Sequence, residues 1–346
     1  MAQNTVKTGI LGLFATEERL DKISSQGDPL EQLDLVIDWE LFRPFVDKML
    51  NKDKLVNSGR KPLDPMLLFK VLIIQRLYNL SDAQTEFQIL DRFSFYRFLG
   101  LTTADKVPDE KTIWSFRDRL ISKGLDHQLF NAFERMLEER GFIAQEGRMI
   151  DASFIKTPIQ RNSKDDNDLI KQGKRPEDWK ENPSKDRQKD SDAKRTRKGN
   201  VNHYGYKIHG KSCTKSKFLI SVSVTNASVH DSQMLEPLID IGDADQPLYA
   251  DSAYSGEKQE ETLQNHSMEN QVHEKGSRNK PLTAKQKASN TIKSKVRARV
   301  EHIFGFMEQS MHGLQLRSIG LERARGFVNL TGLVYNLFRF KQVQAS

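Results

Sequence analysis

Arg148-Met-Ile-Asp-Ala-Ser-Phe-Ile155 is the stretch on which the reading of this chain turns. It is a short β-like apolar run with an acid, Asp151, in its middle. Burying a lone carboxylate is costly, so an acid in such a run needs a partner or a task. The run also marks a change of period. Before it, apolar residues recur at helical spacing; after it, they come in the short runs typical of strands.

Upstream, residues 1–55 are mixed, with an apolar patch at Ile10-Leu-Gly-Leu-Phe14 and a mostly helical stretch from Leu30 to Leu50. Asp64-Pro65 signals a helix start, with proline in the first turn. From Met66 to Tyr78 the apolar residues run nearly all round, which predicts a buried helix. Asn79-Leu-Ser81 ends it, and Asp82 is placed to cap a next segment whose apolar positions are Phe87, Leu90, Phe93 and Phe95. Pro108-Asp109 opens a helix through Leu120, with Ile113, Trp114, Phe116 and Leu120 as its apolar surface. Another, from His127 to Arg140, stops at Gly141. Met49, Met66 and Met136 read as adaptable core fillers. Residues 1–142 therefore predict an all-α N-terminal domain.

Residues 143–346 predict a second domain of class α/β. After the opening strand comes a polar insertion at about residues 160–200, too polar for a core and read as loop or disorder. Its large apolar residues are Leu169, Ile170 and Trp179. Two strands follow, His203–His209 and Phe218–Thr225, then a helical stretch from His230 to Ile241. Pro247-Leu-Tyr-Ala250 is a short buried strand that ends at Asp251. A helix around Glu257–Asn265, a weak strand around Gln271–Glu274, a long helix from Thr283 past Met307 and a last apolar helix from Ala324 to Phe340 complete the chain. This order predicts a mixed sheet flanked by helices.

The 346 residues carry a net charge of +7, which says little until it is mapped. Residues 156–217 hold 18 Lys/Arg against 9 Asp/Glu, and residues 275–300 hold 9 Lys/Arg and no acid. The remainder is acidic, with 27 basic and 38 acidic residues. Two concentrated basic blocks are the footprint of phosphate-backbone binding, though the first block alone also suits a solvated linker. No apolar run approaches a membrane span, since Met66–Ile74 is short and broken by Lys70. The N-terminus lacks an apolar signal core, so the expected compartment is the cytoplasm. The single cysteine, Cys213, excludes an intramolecular disulfide and a multi-cysteine zinc site, and has no evident role.

Three acids stand out by position. Asp151 interrupts a strand, Asp251 closes one, and Glu301 lies on the long helix after the acid-free basic block. A buried strand and the end of its neighbour can bring two such residues side by side, and a helix over that edge can deliver a third. Three clustered carboxylates need a cation, and oxygen-only ligands suit Mg²⁺, with Mn²⁺ able to substitute. Two such ions can activate an oxygen nucleophile and stabilise the leaving oxygen of a phosphodiester. The plainer alternative is three ordinary acids among 47.

Four further motifs occur in order: Tyr204-Gly-Tyr-Lys-Ile-His209, Thr225-Asn-Ala-Ser-Val-His-Asp231, Ala250-Asp-Ser-Ala-Tyr-Ser-Gly256 and Arg297-Ala-Arg-Val-Glu-His-Ile-Phe-Gly305. Together with Arg60-Lys-Pro-Leu-Asp-Pro65 and Pro108-Asp-Glu-Lys-Thr-Ile-Trp-Ser-Phe-Arg117, the set resembles the DDE transposases of bacterial insertion sequences, specifically the IS-five family. The resemblance spans roughly residues 28 to 340. It implies a ribonuclease-H-like catalytic domain whose metal-holding acids match Asp151, Asp251 and Glu301. It implies an Mg²⁺-dependent DNA transposase that cuts at terminal inverted repeats and joins the freed 3′-OH to target DNA. The N-terminal helices would read the repeat, and a homodimer or larger synaptic complex would pair two ends in the nucleoid.

The family signature around the glutamate is Tyr-x2-Arg-x3-Glu-x6-Lys. Arg297 and Glu301 fit it, while Ser294 and Glu308 replace the tyrosine and lysine. Arg297 would therefore orient DNA phosphate, with Lys293, Lys295 and Arg299 available to replace the missing lysine. These departures keep open a catalytically inactive, transposase-derived DNA-binding protein.

Other residues have two readings each. Lys207 and His209 share a strand face and can approach phosphate or pack in the sheet. His230-Asp231 can ligate a metal or cap a helix, Tyr254 can stack on a base or pack, and Trp179 can stack on DNA.

Overall fold

A computed structural model describes residues 14–50, 62–102, 104–277 and 280–345. Residues 10–13 of the N-terminal apolar patch, residues 60–61 of the first upstream motif and Arg278 of the second basic block lie outside the described residues. The N-terminal region is helical: α1 (Ala15–Ser25), α2 (Pro29–Val36), α3 (Arg43–Val46), α4 (Pro65–Leu77), α5 (Asp82–Asp91), α6 (Phe93–Leu99), α7 (Glu110–Ser122) and α8 (Leu125–Glu139).

Helix α4 starts as expected. The Asp64 side chain accepts from the Met66 N–H at 3.0 Å, Pro65 fills the first turn, and nearly every residue through Leu77 is buried. The next segment differs from the expectation. It is two helices, α5 and α6, divided at the extended residue Arg92. Ser81, not Asp82, is the cap, in a reciprocal box with Gln84, while Asp82 pairs with Arg117 on α7. The buried Gln75 amide donates to Thr85 at 3.0 Å, which turns Thr85 and Ile89 inward and leaves Phe87 and Leu90 exposed. On α7, Ile113, Phe116 and Leu120 are buried, but Trp114 is half exposed.

The sheet begins with β1 (Arg148–Lys156), followed by β2 (Lys194–Lys198), β3 (Val201–Cys213), β4 (Leu219–Asn226), β5 (Pro247–Tyr249) and β6 (Glu269–Asn270). β1 is central, antiparallel to β3 along its whole length and parallel to β5. β6 extends the sheet beyond β5, and both β4 and β2 pair antiparallel with β3. The sheet is thus mixed. The weak last strand lies two residues earlier than expected, although Gln271 and His273 continue to donate to Leu248 and Ala250.

Two further expectations are corrected. The polar insertion is ordered: α9 (Lys164–Lys171), α10 (Glu177–Lys180) and α11 (Pro183–Asp186) precede β2. Its anchor is Trp179, which is fully buried beneath the Lys189 ammonium at 5.1 Å and so presents no face to DNA. The stretch from His230 to Ile241 is not one helix but a 3₁₀ turn at Asp231–Met234 and a single turn, α12 (Leu235–Leu238). Pro237 supplies no N–H to continue it, and Asp240 then caps a new turn at Ile241–Asp243.

The remaining helices are α13 (Glu257–Asn265), α14 (Ala284–Gly305) and α15 (Leu321–Gln344). α15 is buried along most of its length, and one hydrophobic cluster runs from Leu30 through the N-terminal helices to β1, β3, β4, α14 and α15. A second cluster, with Ile150, Leu235, Leu248 and Tyr254, covers the other side of the sheet. No helix of the described residues is long and apolar enough to cross a membrane.

Candidate active site

The pairing of β1 with β5 builds the site. Arg148 lies opposite Leu248 and Met149 opposite Tyr249, so the same register carried two residues further sets Asp151 beside Asp251. Asp251 follows the strand as the cap of a 3₁₀ turn, its carboxylate accepting from the Ala253 N–H at 2.8 Å. Asp151 accepts from the Ala152 N–H at 2.8 Å and from Arg297 Nη2 at 3.3 Å. Burial pushes the Asp151 carboxyl above its ordinary range, the Arg297 guanidinium opposes that, and the charge of Asp251 adds to it. Arg297 thus pairs with Asp151, and the charge of Asp251 lies close enough to act on the same carboxyl.

Arg297 sits on α14, a helix begun by Thr283 and Gln286 in a capping box. Its Nε is buried without a partner among the described residues, so the guanidinium keeps a free donor beside the two acids. Lys293 donates to the Val272 carbonyl at 2.9 Å, Arg299 donates to the Thr214 carbonyl at 2.9 Å, and Lys295 is exposed. Glu301 lies one turn after Arg297 and is exposed, because α14 docks through Val300, Ile303 and Phe304. Among the described residues, no three acidic, histidine or cysteine side chains are gathered closely enough to hold a metal ion. Asp151 and Asp251 are together; Glu301 stands apart. The donor set of the two aspartates, all oxygen and excess in negative charge, nonetheless suits a hard divalent cation.

Other expected residues have different places. Lys207 is buried and ion-paired with Asp231 at 2.7 Å, and His209 is fully buried with its Nε2 at 2.8 Å from the Thr225 hydroxyl. Burial pulls the His209 pKa down to about 4. Of the two readings open for Lys207 and His209, packing in the sheet is the one their burial fits, and the approach to phosphate is not. His230 caps the 3₁₀ turn by accepting from the Ser232 N–H, and Asp231 is occupied by Lys207, so this pair caps and braces. Tyr254 packs in the core and Cys213 is buried.

Sequence reading missed His273. Its backbone donates to Ala250, directly before Asp251, and its ring meets the Ser294 hydroxyl at 3.3 Å. Burial and the neighbouring charges of Arg297 and Lys293 hold its pKa below the usual imidazole value. The signal in the sequence was its place within the weak strand expected around Gln271–Glu274, the next after the one that ends at Asp251.

A mixed sheet with an acid on its central strand, a second at the end of the parallel neighbour and helices on its faces defines a ribonuclease-H-like domain of the DDE class. The family model described as "Transposase DDE domain" matches residues 144–337, and the one described as "Transposase domain (DUF772)" matches residues 17–119. The chain belongs to the DDE transposases of insertion sequences. No solved structure matches it.

Proposed function

We propose that this transposase, of the IS-five type, binds the terminal inverted repeats of an insertion sequence, cleaves DNA strands there and transfers them into target DNA. The observation that carries the reading is the register of β1 with β5, which runs Asp151 towards Asp251, two oxygen donors of the kind a hard divalent cation takes. In this reading Asp151 and Asp251 would hold Mg²⁺ or Mn²⁺, and Glu301 on α14 would be the third acid of the family pattern, although it stands apart from the two in this structure. When bound, the metal supplies charge neutralisation at the phosphodiester and a reactive oxygen nucleophile at neutral pH.

The protein's own part is positioning. Arg297 offers its accessible guanidinium donors to a phosphate oxygen, while the exposed Lys295 on α14 holds the backbone beside it. The helices of residues 1–142 form the DNA-reading domain, with a helix in the major groove, and residues 143–346 form the catalytic one. Two DNA ends require a homodimer or larger synapse.

The test uses a labelled terminal-repeat duplex and a second, unlabelled duplex with Mg²⁺ or Mn²⁺. The reading expects nicking and then covalent joining of the labelled 3′ end to the second DNA. Nicking without joining leaves a plain nuclease. Binding without either supports the inactive, DNA-binding reading that Ser294, Glu308 and the outlying Glu301 favour.

A further inference from the structure

The first basic block is not uniform. Residues 156–192 hold ten Lys/Arg and nine Asp/Glu, whereas residues 193–217 hold eight Lys/Arg and no acid. The first part neutralises itself through Lys171–Asp168, Arg175–Asp186, Lys180–Glu177 and Lys185–Asp178. Its last acids are also engaged: Asp190 accepts from the Tyr206 hydroxyl and the Gly320 N–H, and Asp192 from the Leu321 N–H at the start of α15. In the second part, Lys207 and Lys211 are buried against Asp231, Asp240 and Asp243, and Lys215 pairs with Glu146.

The unpaired cations that stand together on one element are those of β2, Lys194-Arg-Thr-Arg-Lys198. Among the described residues, no carboxylate pairs with any of its four cations. Lys194 donates to the Ile170 carbonyl, but Arg195, Arg197 and Lys198 are exposed. The two arginines are also held in place. Arg195 stands opposite Tyr204 with its guanidinium 5.8 Å from the ring, Arg197 stands opposite Asn202 and reaches Asn200 across the turn, and Lys198 stands opposite Val201.

The ladder also says which way the two arginines face. Asp151 lies opposite Gly210, and alternate residues back along β3, through Ile208, Tyr206, Tyr204 and Asn202, keep to that side of the sheet. From Gly210 to Val201 is ~30 Å of strand, close to the ~34 Å of one duplex turn. We propose that the β2–β3 hairpin, through Arg195 and Arg197 on the Asp151 side and Lys198 at the turn, grips the backbone of duplex DNA about one helical turn from the reacting phosphodiester. The partner follows from unpaired, ordered positive charge; the spacing rests on the reading of Asp151 and Asp251 as the reaction site.

The test is binding of the full chain to a fluorescein-labelled 40-bp duplex of random sequence, by anisotropy from 50 to 200 mM KCl. Removing three phosphate contacts in Arg195→Ala/Arg197→Ala/Lys198→Ala flattens the log–log salt slope by about 2.7. Over that fourfold salt range the wild type then loses about 40-fold more affinity than the variant. The control Lys171→Ala/Lys180→Ala/Lys185→Ala, which removes equal charge from locally paired lysines, keeps the wild-type slope. Arg195→Lys/Arg197→Lys keeps the charge and the slope, which guards against a folding defect. An unchanged slope in the alanine variant, an equal flattening in the control, or no duplex binding by the wild type overturns the proposal. A photoreactive group on Asn200→Cys, selective because Cys213 is buried, should crosslink about 10 bp from the cut. Cleavage is scored separately: a flattened slope together with undiminished cutting by Asp151→Asn retains the hairpin and removes the acid assignment, and the reverse pattern does the opposite.

Discussion

Arg297→Ala isolates the electrostatics of the site before any metal or DNA is added. The Arg297 guanidinium is 3.3 Å from Asp151, and the two side chains are 21% and 16% exposed. At an effective dielectric of about 20, charges that far apart attract by roughly 5 kcal/mol. Desolvation opposes this by several kcal/mol per ion, and the contact is a single long hydrogen bond, so the net coupling should be about 1–2 kcal/mol. Removing the arginine leaves Asp151 buried beside Asp251 with no counter-ion. Arg297→Ala should therefore destabilise the metal-free protein, whereas Asp151→Asn should be neutral or stabilising because it removes the carboxylate that burial disfavours. Urea unfolding in EDTA of both single variants and the double variant gives the coupling directly. Arg297→Ala should also recover stability on adding Mn²⁺, since the cation replaces the lost charge. A coupling below about 0.3 kcal/mol, within the additivity expected of independent sites, would refute the argument that Arg297 neutralises the acids.

Other consequences follow from groups outside the site. The pKa of His209 is depressed to about 4 in the folded chain, so the unfolded state takes up the proton first. Stability linked to His209 is full above pH 6.5 and falls by about 3 kcal/mol as pH drops towards 4, and His209→Gln should remove that part of the decline in urea titrations at pH 7 and 4.5. Asp243→Asn strips the shared counter-ion from the buried Arg148 and Lys211 and should cost about 3–5 kcal/mol, against less than about 1 kcal/mol for breaking the exposed Lys215–Glu146 pair. Trp179→Ala removes the anchor of the insertion, a loss of about 3–5 kcal/mol, and should expose residues 160–192 to limited proteolysis before the rest unfolds.

The features legible in the sequence are those decided locally. The change of period at Arg148, the proline start of α4, the Gly141 stop and the β3–β4 pair all follow from residues near one another in the chain. The Asp151–Asp251 juxtaposition was legible because a strand and the end of its parallel neighbour leave few alternatives. What was not legible depends on distant partners. The turn of α5 is set by the Gln75 amide, and the order of the insertion by a single buried tryptophan and by Asp190 and Asp192 at the start of α15. Lys207 and His209 had two readings, phosphate or sheet packing, because Asp231 and Thr225, which engage them, come later in the chain. Glu301 shows a different limit. Its spacing from Arg297 placed it on the right helix, but spacing does not say whether the carboxylate turns towards the sheet.

Single-turnover cleavage of a terminal-repeat duplex by Asp151→Asn, Asp251→Asn and Glu301→Gln, each with Mg²⁺ and with Mn²⁺, tests the central claim most directly. Each neutral variant should lose more than about a hundredfold in rate, beyond the loss typical of residues that merely support a ligand, while binding the duplex at least as well as the wild type. Wild-type cleavage by any one of the three would contradict the assignment of that acid and, with it, the three-carboxylate site.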